Sequence, residues 1–339
     1  MLYVTTRGTK DAFTAHRTLC SDTAPDGGCF VPMSMPRFQP EDIKALSSKS
    51  FGQIVAEIIN LLFSTQLSGW DIDLMTGRNT VKVFSLTQKL KIAELWHNSG
   101  SCFSHMVQNL YRGLCKNADA MDVPSDWSKI AIRISVYFAL YAQLLSGDHI
   151  TVEQTFDLAL SAGDFTPVIA ALYAREMGLP IRKVICTVGD SSGVWDLIQR
   201  GCFTAANADM HLLQGLERLV QLTMGTNEVA RFNEKCQNRR PYYVDEEMLP
   251  ALNADLFCAV AGQSRTESTI NSVFRSNDYI LDPVTAHCYG GLQDYRSKSG
   301  ENKFTLLLSE ASPLQYAREI TSATGLTMSD LAARVNRTA

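Results

Sequence analysis

The spacing of hydrophobic residues predicts an N-terminal domain over residues 1–80. The stretch LYVTTRG alternates as a strand does, DAFTAHRTLC follows at helical spacing, and the Asp-Gly-Gly turn and prolines of APDGGCFVP indicate a loop. From Pro40 to Leu67 hydrophobic residues recur every three to four positions, which predicts helix. One face of this region carries Phe51, Ile54, Ile58, Leu61 and Leu62. We therefore expect a helical layer at the N-terminus.

Residues 81–339 show a different pattern. Two strand-like runs, VKVFSL and KIAELW, precede a helix from about Cys102 to Cys115, a polar linker and a long helix that Asp126 is placed to cap. The segments TFDLALSAG, VIAALYAREMG, RKVICTV and VWDLIQRG then alternate between continuously apolar strands and amphipathic helices. This order predicts the α/β class, with a doubly wound, mainly parallel sheet.

The last third of the chain continues in the same class. Three helices are predicted between His211 and Leu252, followed by the strand ADLFCAVAG. A capping box from Ser264 to Glu267 predicts the start of the next helix. The strand FTLLLS then leads through EASP into a further helix, which completes an α/β domain over residues 81–339.

Composition narrows the choice of partners. The 339 residues include 31 basic and 35 acidic side chains, so no long-range basic field draws nucleic acid or an anionic membrane to the protein. The longest apolar runs fall short of the about 18 to 20 residues that a bilayer span requires, and MLYVTTRGTK does not resemble a signal peptide. We expect a cytoplasmic protein with neither a nucleic-acid partner nor a membrane partner.

Cysteines and histidines give no sign of a metal. The nine cysteines contain no C-x-x-C pair and mostly fall in apolar segments, which favours reduced core thiols. The six histidines show no H-E-x-x-H spacing. We expect no metal site.

Four strand-to-helix turns are the candidate ligand site, because ligands of doubly wound sheets lie beyond the carboxyl ends of the strands. These turns are HNSGSCFSH, SAGDFTPV, VGDSSGVWD and SEASPLQ. Their Ser, Thr and Gly residues could donate to a phosphate or a carboxylate, or could simply form turns and cap helices. His97 and His105 flank the first turn, where a histidine could move a proton or could simply pack against the sheet.

One turn matches a hydrolase motif. GDSSG fits G-x-S-x-G with Ser191 as the nucleophile, and Asp282 and His287 follow in the expected chain order. No oxyanion segment precedes the motif, and Asp282 stands close to His287 in the sequence rather than on a separate turn. No G-x-G-x-x-G and no P-loop occurs in the chain.

Several segments together resemble threonine synthase, a pyridoxal-phosphate (PLP) lyase of amino-acid biosynthesis with the tryptophan-synthase β-like fold. The N-terminal segments YVTTRG and LCSDTAPDGGCFVP resemble that family's first strand and its Ala-Pro-Asp-Gly-Gly turn. AELWHNSGSCFSH resembles the segment that carries the Schiff-base lysine, and SAGDFTPVIAALYAREMGLPIRKVI resembles the segment that begins with the cofactor-phosphate loop. DMHLLQGLERLVQL, YILDPVTAHCYGG and LLLSEASPLQY match later segments in the same order. The resemblance runs nearly from end to end and implies PLP fold type II.

The departures from the family pattern fall on its reactive residues. By this resemblance the Schiff-base lysine is replaced by Ser104 and the next residue by His105, while the family's Gly-Pro-Thr falls on residues 98–100. The phosphate loop becomes Gly163, Asp164, Phe165, Thr166 and Pro167. Asp164 adds a negative charge and Pro167 lacks an N–H donor. In the late segment the histidine and lysine become Ser312 and Gln315.

The resemblance also implies a missing subdomain, because residues 116–126 replace the whole segment that includes the family's Ser-Gly-Asp-Thr-Gly loop. Lys91 and Lys116 are the nearest remaining lysines in the sequence. A serine hydroxyl can neither form the imine nor act as its base, so we expect no covalent PLP.

These observations predict a threonine-synthase-like pseudoenzyme with a residual cleft for a small phosphorylated or carboxylated ligand. The cleft residues are Gly163, Asp164, Phe165, Thr166 and Ser309, and Ser104, His97 and His105 are the candidates for any remaining catalysis. The alternatives are an active PLP lyase with rearranged residues, and a regulatory or scaffolding subunit in a homo-oligomer or with a protein partner. The hydrolase reading is a further alternative.

Overall fold

The N-terminal part of the protein combines a small sheet with helices. The computed structural model describes residues 1–77, 81–97, 102–115, 121–189, 193–205, 208–260 and 262–337. Strand β1 (Leu2–Thr5) pairs antiparallel with β2 (Phe13–Thr14) on one side and β3 (Phe30–Pro32) on the other. Four helices accompany this sheet: α1 (Ala15–Cys20), α2 (Pro40–Leu46), α3 (Phe51–Phe63) and α4 (Gly69–Thr76). The expected helical layer is therefore present.

A six-stranded sheet forms the centre of the molecule. Its strands along the chain are β4 (Lys82–Thr87), β5 (Leu90–Glu94), β6 (Phe156–Ser161), β7 (Ile181–Val188), β10 (Leu256–Val260) and β11 (Thr305–Ser309). Their spatial order is β10-β7-β6-β11-β5-β4, and every neighbouring pair is parallel except β4 with β5. A short turn joins β4 to β5, which permits only the antiparallel arrangement. The predicted doubly wound, mainly parallel sheet is confirmed.

Helices cover both faces of this sheet. The described helices that follow β5 are α5 (Phe103–Leu114), α6 (Asp126–Ser146), α7 (Thr166–Glu176), α8 (Val194–Arg200), α9 (Met210–Met224), α10 (Thr226–Gln237), α11 (Leu249–Asn253), α12 (Gln263–Asn277), α13 (Pro283–Ser299), α14 (Ala317–Thr324) and α15 (Met328–Arg337). Strands β8 (Cys202–Phe203) and β9 (Tyr242–Tyr243) form a separate ribbon, and Pro313–Tyr316 is a turn of 3-10 helix. Because both sheet faces are covered, β5 and β11 are buried along their whole length.

The first half of the N-terminal part differs in detail from the pattern. Phe13–Thr14, expected to be helical, is strand β2, and Phe30–Pro32, expected in a loop, is strand β3, because both segments pair with β1. The helical region from Pro40 to Leu67 divides into two helices. Ser50 caps the second helix in a reciprocal capping box with Gln53. Leu61 is exposed rather than buried with the other residues of its predicted face.

Two predicted caps were wrong by one or two positions. Ser125 is the N-cap of α6, and its hydroxyl accepts from the Ser128 N–H, so Asp126 is the first helical residue. Helix α12 begins at Gln263 with Gly262 as its N-cap, two positions before the predicted cap at residue 264. In both cases an adjacent small residue takes the extended conformation that an N-cap needs.

The N-terminal part is tied to the large sheet by buried polar contacts. The Trp127 indole of α6 donates to the Tyr3 hydroxyl at 3.0 Å, and Tyr3 donates to the Leu62 carbonyl. Arg7 pairs with Glu217 of α9 at 3.3 Å. The division of the chain at residue 80 stays a prediction. None of the helices in the described ranges has an apolar stretch long enough to cross a bilayer.

Candidate functional site

The strands that lead into the predicted turns end at one edge of the sheet. Strands β5, β6, β7 and β11 are parallel, so their carboxyl ends lie together. Parts of two turns, residues 98–101 and 190–192, are outside the described residues, and with them the predicted nucleophile Ser191. The described part of this edge comprises the start of α5, the turn between β6 and α7, and the residues after β11. We call it the crevice.

The start of α5 is held against the end of β11. Cys102 forms an antiparallel bridge with Ala311, and the Phe103 N–H donates to the Glu310 carbonyl at 2.8 Å. Residue 104 therefore stands beside the residues that follow β11, although more than two hundred positions separate them in the sequence. This pairing brings two of the predicted cleft segments together.

Ser104 is exposed and offers a hydroxyl in place of an amine. Its Oγ lies 2.8 Å from the Cys102 Sγ. His105 is also exposed, and its backbone N–H donates to the Cys102 carbonyl at 3.2 Å. The first turn of α5 therefore holds only neutral or weakly basic groups at the position where the family resemblance implies the reactive lysine.

His97 is committed to the sheet rather than to solvent. Its Nε2 lies 3.2 Å from Glu94 Oε2, and its ring stacks on Trp96 with 4.4 Å between centroids. Glu94 is buried and accepts from the Tyr279 hydroxyl at 2.8 Å. Burial raises the pKa of Glu94, although the Tyr279 hydrogen bond and Lys82 act in the opposite direction. The geometry fits the structural interpretation of this histidine.

The turn between β6 and α7 is occupied by a side chain of its own. Gly163 and Phe165 both have positive φ, 46° and 68°, which turns the chain sharply into α7. The Asp164 carboxylate Oδ1 accepts from the Thr166 N–H at 3.1 Å and also from the Thr166 hydroxyl. Pro167 follows and has no N–H to offer. The donors of this helix N-terminus therefore face an internal anion.

Ser309, the fifth predicted cleft residue, is buried and points to α13. Its hydroxyl donates to Asp282 Oδ2 at 3.0 Å. Asp282 also accepts from the N–H groups of Val284 and Thr285 at 2.9 and 3.0 Å, and so serves as the N-cap of α13. Burial raises the pKa of Asp282, while these hydrogen bonds lower it. In the structure Asp282 acts as a helix cap.

Arg133 of α6 is a crevice residue that the sequence pattern did not reveal. Its Nη1 forms an ion pair with Glu310, and its guanidinium lies over the Phe103 ring at 4.8 Å from the centroid. Burial lowers the pKa of Arg133, but Glu310 raises it and the net shift is upward, so the group stays a cation. The only signal in the sequence is one arginine inside the apolar run IAIRISVYFALY.

The described residues of the crevice do not fit a covalently held PLP. Lys91 is buried on β5 and donates to the Ser85 hydroxyl at 2.8 Å. Lys82 of β4 lies 3.9 Å from Glu94 on the same face of the sheet edge. Lys116 is outside the described residues. In the described part of the crevice, a hydroxyl stands at residue 104 and a carboxylate fills the expected phosphate cradle.

The comparisons with known proteins agree with this fold. The family described as "Threonine synthase N terminus" matches residues 2–78. Threonine synthase-like 1 of Homo sapiens is 25% identical over 174 residues, which is 48% of this chain but 23% of that protein. Threonine synthase of Saccharomyces cerevisiae is 22% identical over 223 residues, 58% of this chain and 43% of that protein. Threonine synthase-like 2 of Pongo abelii is 19% identical over a gapped alignment of 395 positions, which covers 84% of this chain and 81% of that protein.

Solved structures show the same architecture. PLP-bound threonine synthase from Brucella melitensis superposes with a TM-score of 0.80 at 17% identity, covering 96% of this chain and 92% of that one. Threonine synthase from yeast gives a TM-score of 0.80 at 16% identity, covering 98% and 94%. The fold is that of PLP fold type II. The chain resembles the threonine synthase family over residues 2–78 and in its fold, and its match to Threonine synthase-like 1 spans 23% of that protein's length.

Proposed function

We propose that this chain is a threonine-synthase-like pseudoenzyme that cannot form the PLP imine and keeps its crevice for a small anionic ligand. The observation that carries the proposal is the pair of substitutions at the two anchoring points of the cofactor. Ser104 supplies no amine, and Asp164 already accepts the Thr166 N–H that a phosphate would need. A dianion placed there would meet a fixed negative charge in a partly desolvated turn.

The proposal is tested by mixing the purified chain with PLP, reducing with borohydride and mapping any pyridoxyl-lysine by mass spectrometry. We expect no stoichiometric imine absorption band and no modified lysine at the crevice. Exposed lysines are expected to react to a small extent. The same treatment of heat-unfolded protein measures this background labelling. A single lysine fixed in full yield would overturn the proposal, and threonine synthesis restored in an auxotroph would establish the active-lyase alternative.

A matched variant separates the two anchoring points. If the missing amine were the whole difference, Ser104→Lys would form the imine. We expect Ser104→Lys to fail and Ser104→Lys/Asp164→Ala to gain some imine, because only the double variant frees the Thr166 N–H. Equal imine formation by both variants would show that Asp164 has no part in excluding the cofactor.

A binding subunit is a second candidate, and one feature of the surface favours it. Trp70 and Leu74, one turn apart on α4, are 61% and 73% exposed. Large exposed hydrophobic side chains in one patch are typical of interaction surfaces. Light scattering of the native chain and of Trp70→Ser/Leu74→Ser tests this candidate. An oligomer in the native chain that the variant loses supports it, and a monomer in both argues against it.

A further inference from the structure

Arg133 brings three parts of the crevice together. It contacts Phe103 at the start of α5 and Glu310 after β11, and Asp164 in the turn before α7 adds to the field that favours its charged form. The Tyr137 hydroxyl, one helical turn further along α6, donates to the Pro167 carbonyl at 3.4 Å. Burial raises the pKa of Tyr137, so this hydroxyl remains a neutral donor. The guanidinium is the one fixed cation that these contacts place at this point.

The two partners of the ion pair are not equally buried. The Arg133 side chain is 13% exposed and the Glu310 side chain is 32% exposed. Glu310 therefore lies on the solvent side of the pair and can be replaced by another anion without moving the cation. The Arg133 Nε is buried and, among the described residues, has no hydrogen-bond partner. The ion pair with Glu310 runs through Nη1, so Nε is the donor through which the guanidinium can make a second contact to an external anion.

The surrounding charges distinguish between kinds of anion. Asp164 repels a second negative charge in the crevice, and this repulsion doubles for a dianion such as phosphate. The resident partner of Arg133 is itself a carboxylate, whose planar geometry matches the guanidinium. A monocarboxylate that displaces Glu310 adds one negative charge to a crevice that already holds Glu310 and Asp164, whereas a phosphate dianion adds two.

We infer that Arg133 is the anion receptor of the crevice, that the Glu310 carboxylate occupies it in the absence of ligand, and that its external ligand is the carboxylate of a small molecule. This inference rests on the proposed function, because it specifies the anion that the crevice takes. It makes Glu310 an internal competitor of the ligand, so removing its charge is expected to strengthen binding.

The test follows the Nε–H signal of Arg133 in the nitrogen-15 spectrum of the whole chain, identified by its loss in Arg133→Lys. Sodium acetate and inorganic phosphate are titrated separately at constant ionic strength and neutral pH. Wild type is compared with Glu310→Gln, and Glu247→Gln on the exposed surface is the matched charge control. We expect acetate to move the signal in Glu310→Gln at about one tenth of the concentration that wild type needs. Phosphate is expected to bind more weakly than acetate.

The possible outcomes separate clearly. If acetate does not move the Arg133 signal in Glu310→Gln, Arg133 is not the receptor. The same holds if Glu247→Gln strengthens acetate binding as much as Glu310→Gln does. Tighter binding of phosphate than of acetate would show that the external ligand is not a monocarboxylate. If Arg133→Lys does not fold, the signal is assigned from sequential correlation spectra of the wild type, and the titrations of wild type and Glu310→Gln still decide. Imine formation would overturn the proposed function alone, because the Arg133 signal is measured without PLP.

Discussion

Two regions of the molecule each pair a buried arginine with a carboxylate, and they differ in how far the carboxylate is exposed to solvent. At the junction between the N-terminal part and the sheet, Arg218 and Asp126 are both fully buried, with 3.5 Å between Nη1 and Oδ2. In the crevice, Arg133 is nearly buried but its partner Glu310 is 32% exposed. A pair sealed on both sides can only hold elements together, whereas a pair with one exposed partner can exchange that partner for a solute.

The junction is also the more densely connected region. Asp126 is shared by Arg218, Lys129 and His211, and its backbone N–H donates to Asp22. Arg218 in turn donates to the Phe30 carbonyl of β3. Arg218 Nη2 is buried and has no hydrogen-bond partner among the described residues, so the other contacts of the pair offset a desolvation cost of several kcal/mol for each ion. The family-like N-terminal region, residues 2–78, is thus fixed to the rest of the chain by charge as well as by packing.

The largest effect is expected from breaking the junction. Arg218→Met leaves the buried Asp126 without its fully buried partner, so we expect about 3–5 kcal/mol of lost unfolding free energy. Urea unfolding followed by tryptophan fluorescence measures this loss. Arg200→Met, at a side chain that is 67% exposed, is the control and should change stability by less than about 0.5 kcal/mol. Similar losses in the two variants would contradict the difference between sealed and open ion pairs.

A smaller loss of unfolding free energy is expected when an uncharged hydrogen bond of the junction is removed. Tyr3→Phe removes the hydroxyl that accepts from Trp127 and donates to the Leu62 carbonyl, and it leaves both of those groups buried. An unsatisfied buried group costs about 1–3 kcal/mol. The same unfolding measurement checks this value, with Tyr243→Phe on the exposed surface as its control. A loss no larger than that of the control would mean that the junction does not depend on this hydroxyl.

In the crevice, Asp164→Ala is expected to lower stability only by about 1 kcal/mol, the usual value of a lost helix-terminal side-chain cap. The Thr166 N–H becomes available, so inorganic phosphate should raise the melting temperature of the variant more than that of the wild type. Differential scanning calorimetry with and without phosphate gives both quantities. A phosphate effect equal to that of wild type would show that Asp164 does not block the cradle.

The sequence predicted the sheet better than the site because of the range of the interactions involved. Continuous apolar runs such as those of β6 and β7 identify buried parallel strands from local pattern alone. The short strands β2 and β3 owe their conformation to pairing with β1, which a local pattern does not contain. Likewise, Asp164 could be recognised from its place in a turn, but the pairing of Arg133 with Glu310 joins residues 177 positions apart. Only the folded chain brings that pair together.

The smallest effect concerns the pH dependence at the edge of the crevice. Burial raises the pKa of Glu94 above its ordinary value of 4.5, so the folded protein keeps this proton when the unfolded chain has lost it. The folded state therefore binds more protons, and this group costs stability as pH rises from 4.5 through its folded pKa. Glu94→Gln removes that cost, so its melting temperature should fall less than that of wild type over the same range. If the melting temperatures of the two proteins change with pH in the same way, His97 and Lys82 keep Glu94 ionised in the folded protein. This edge of the crevice would then be a closed ion-pair network like the junction.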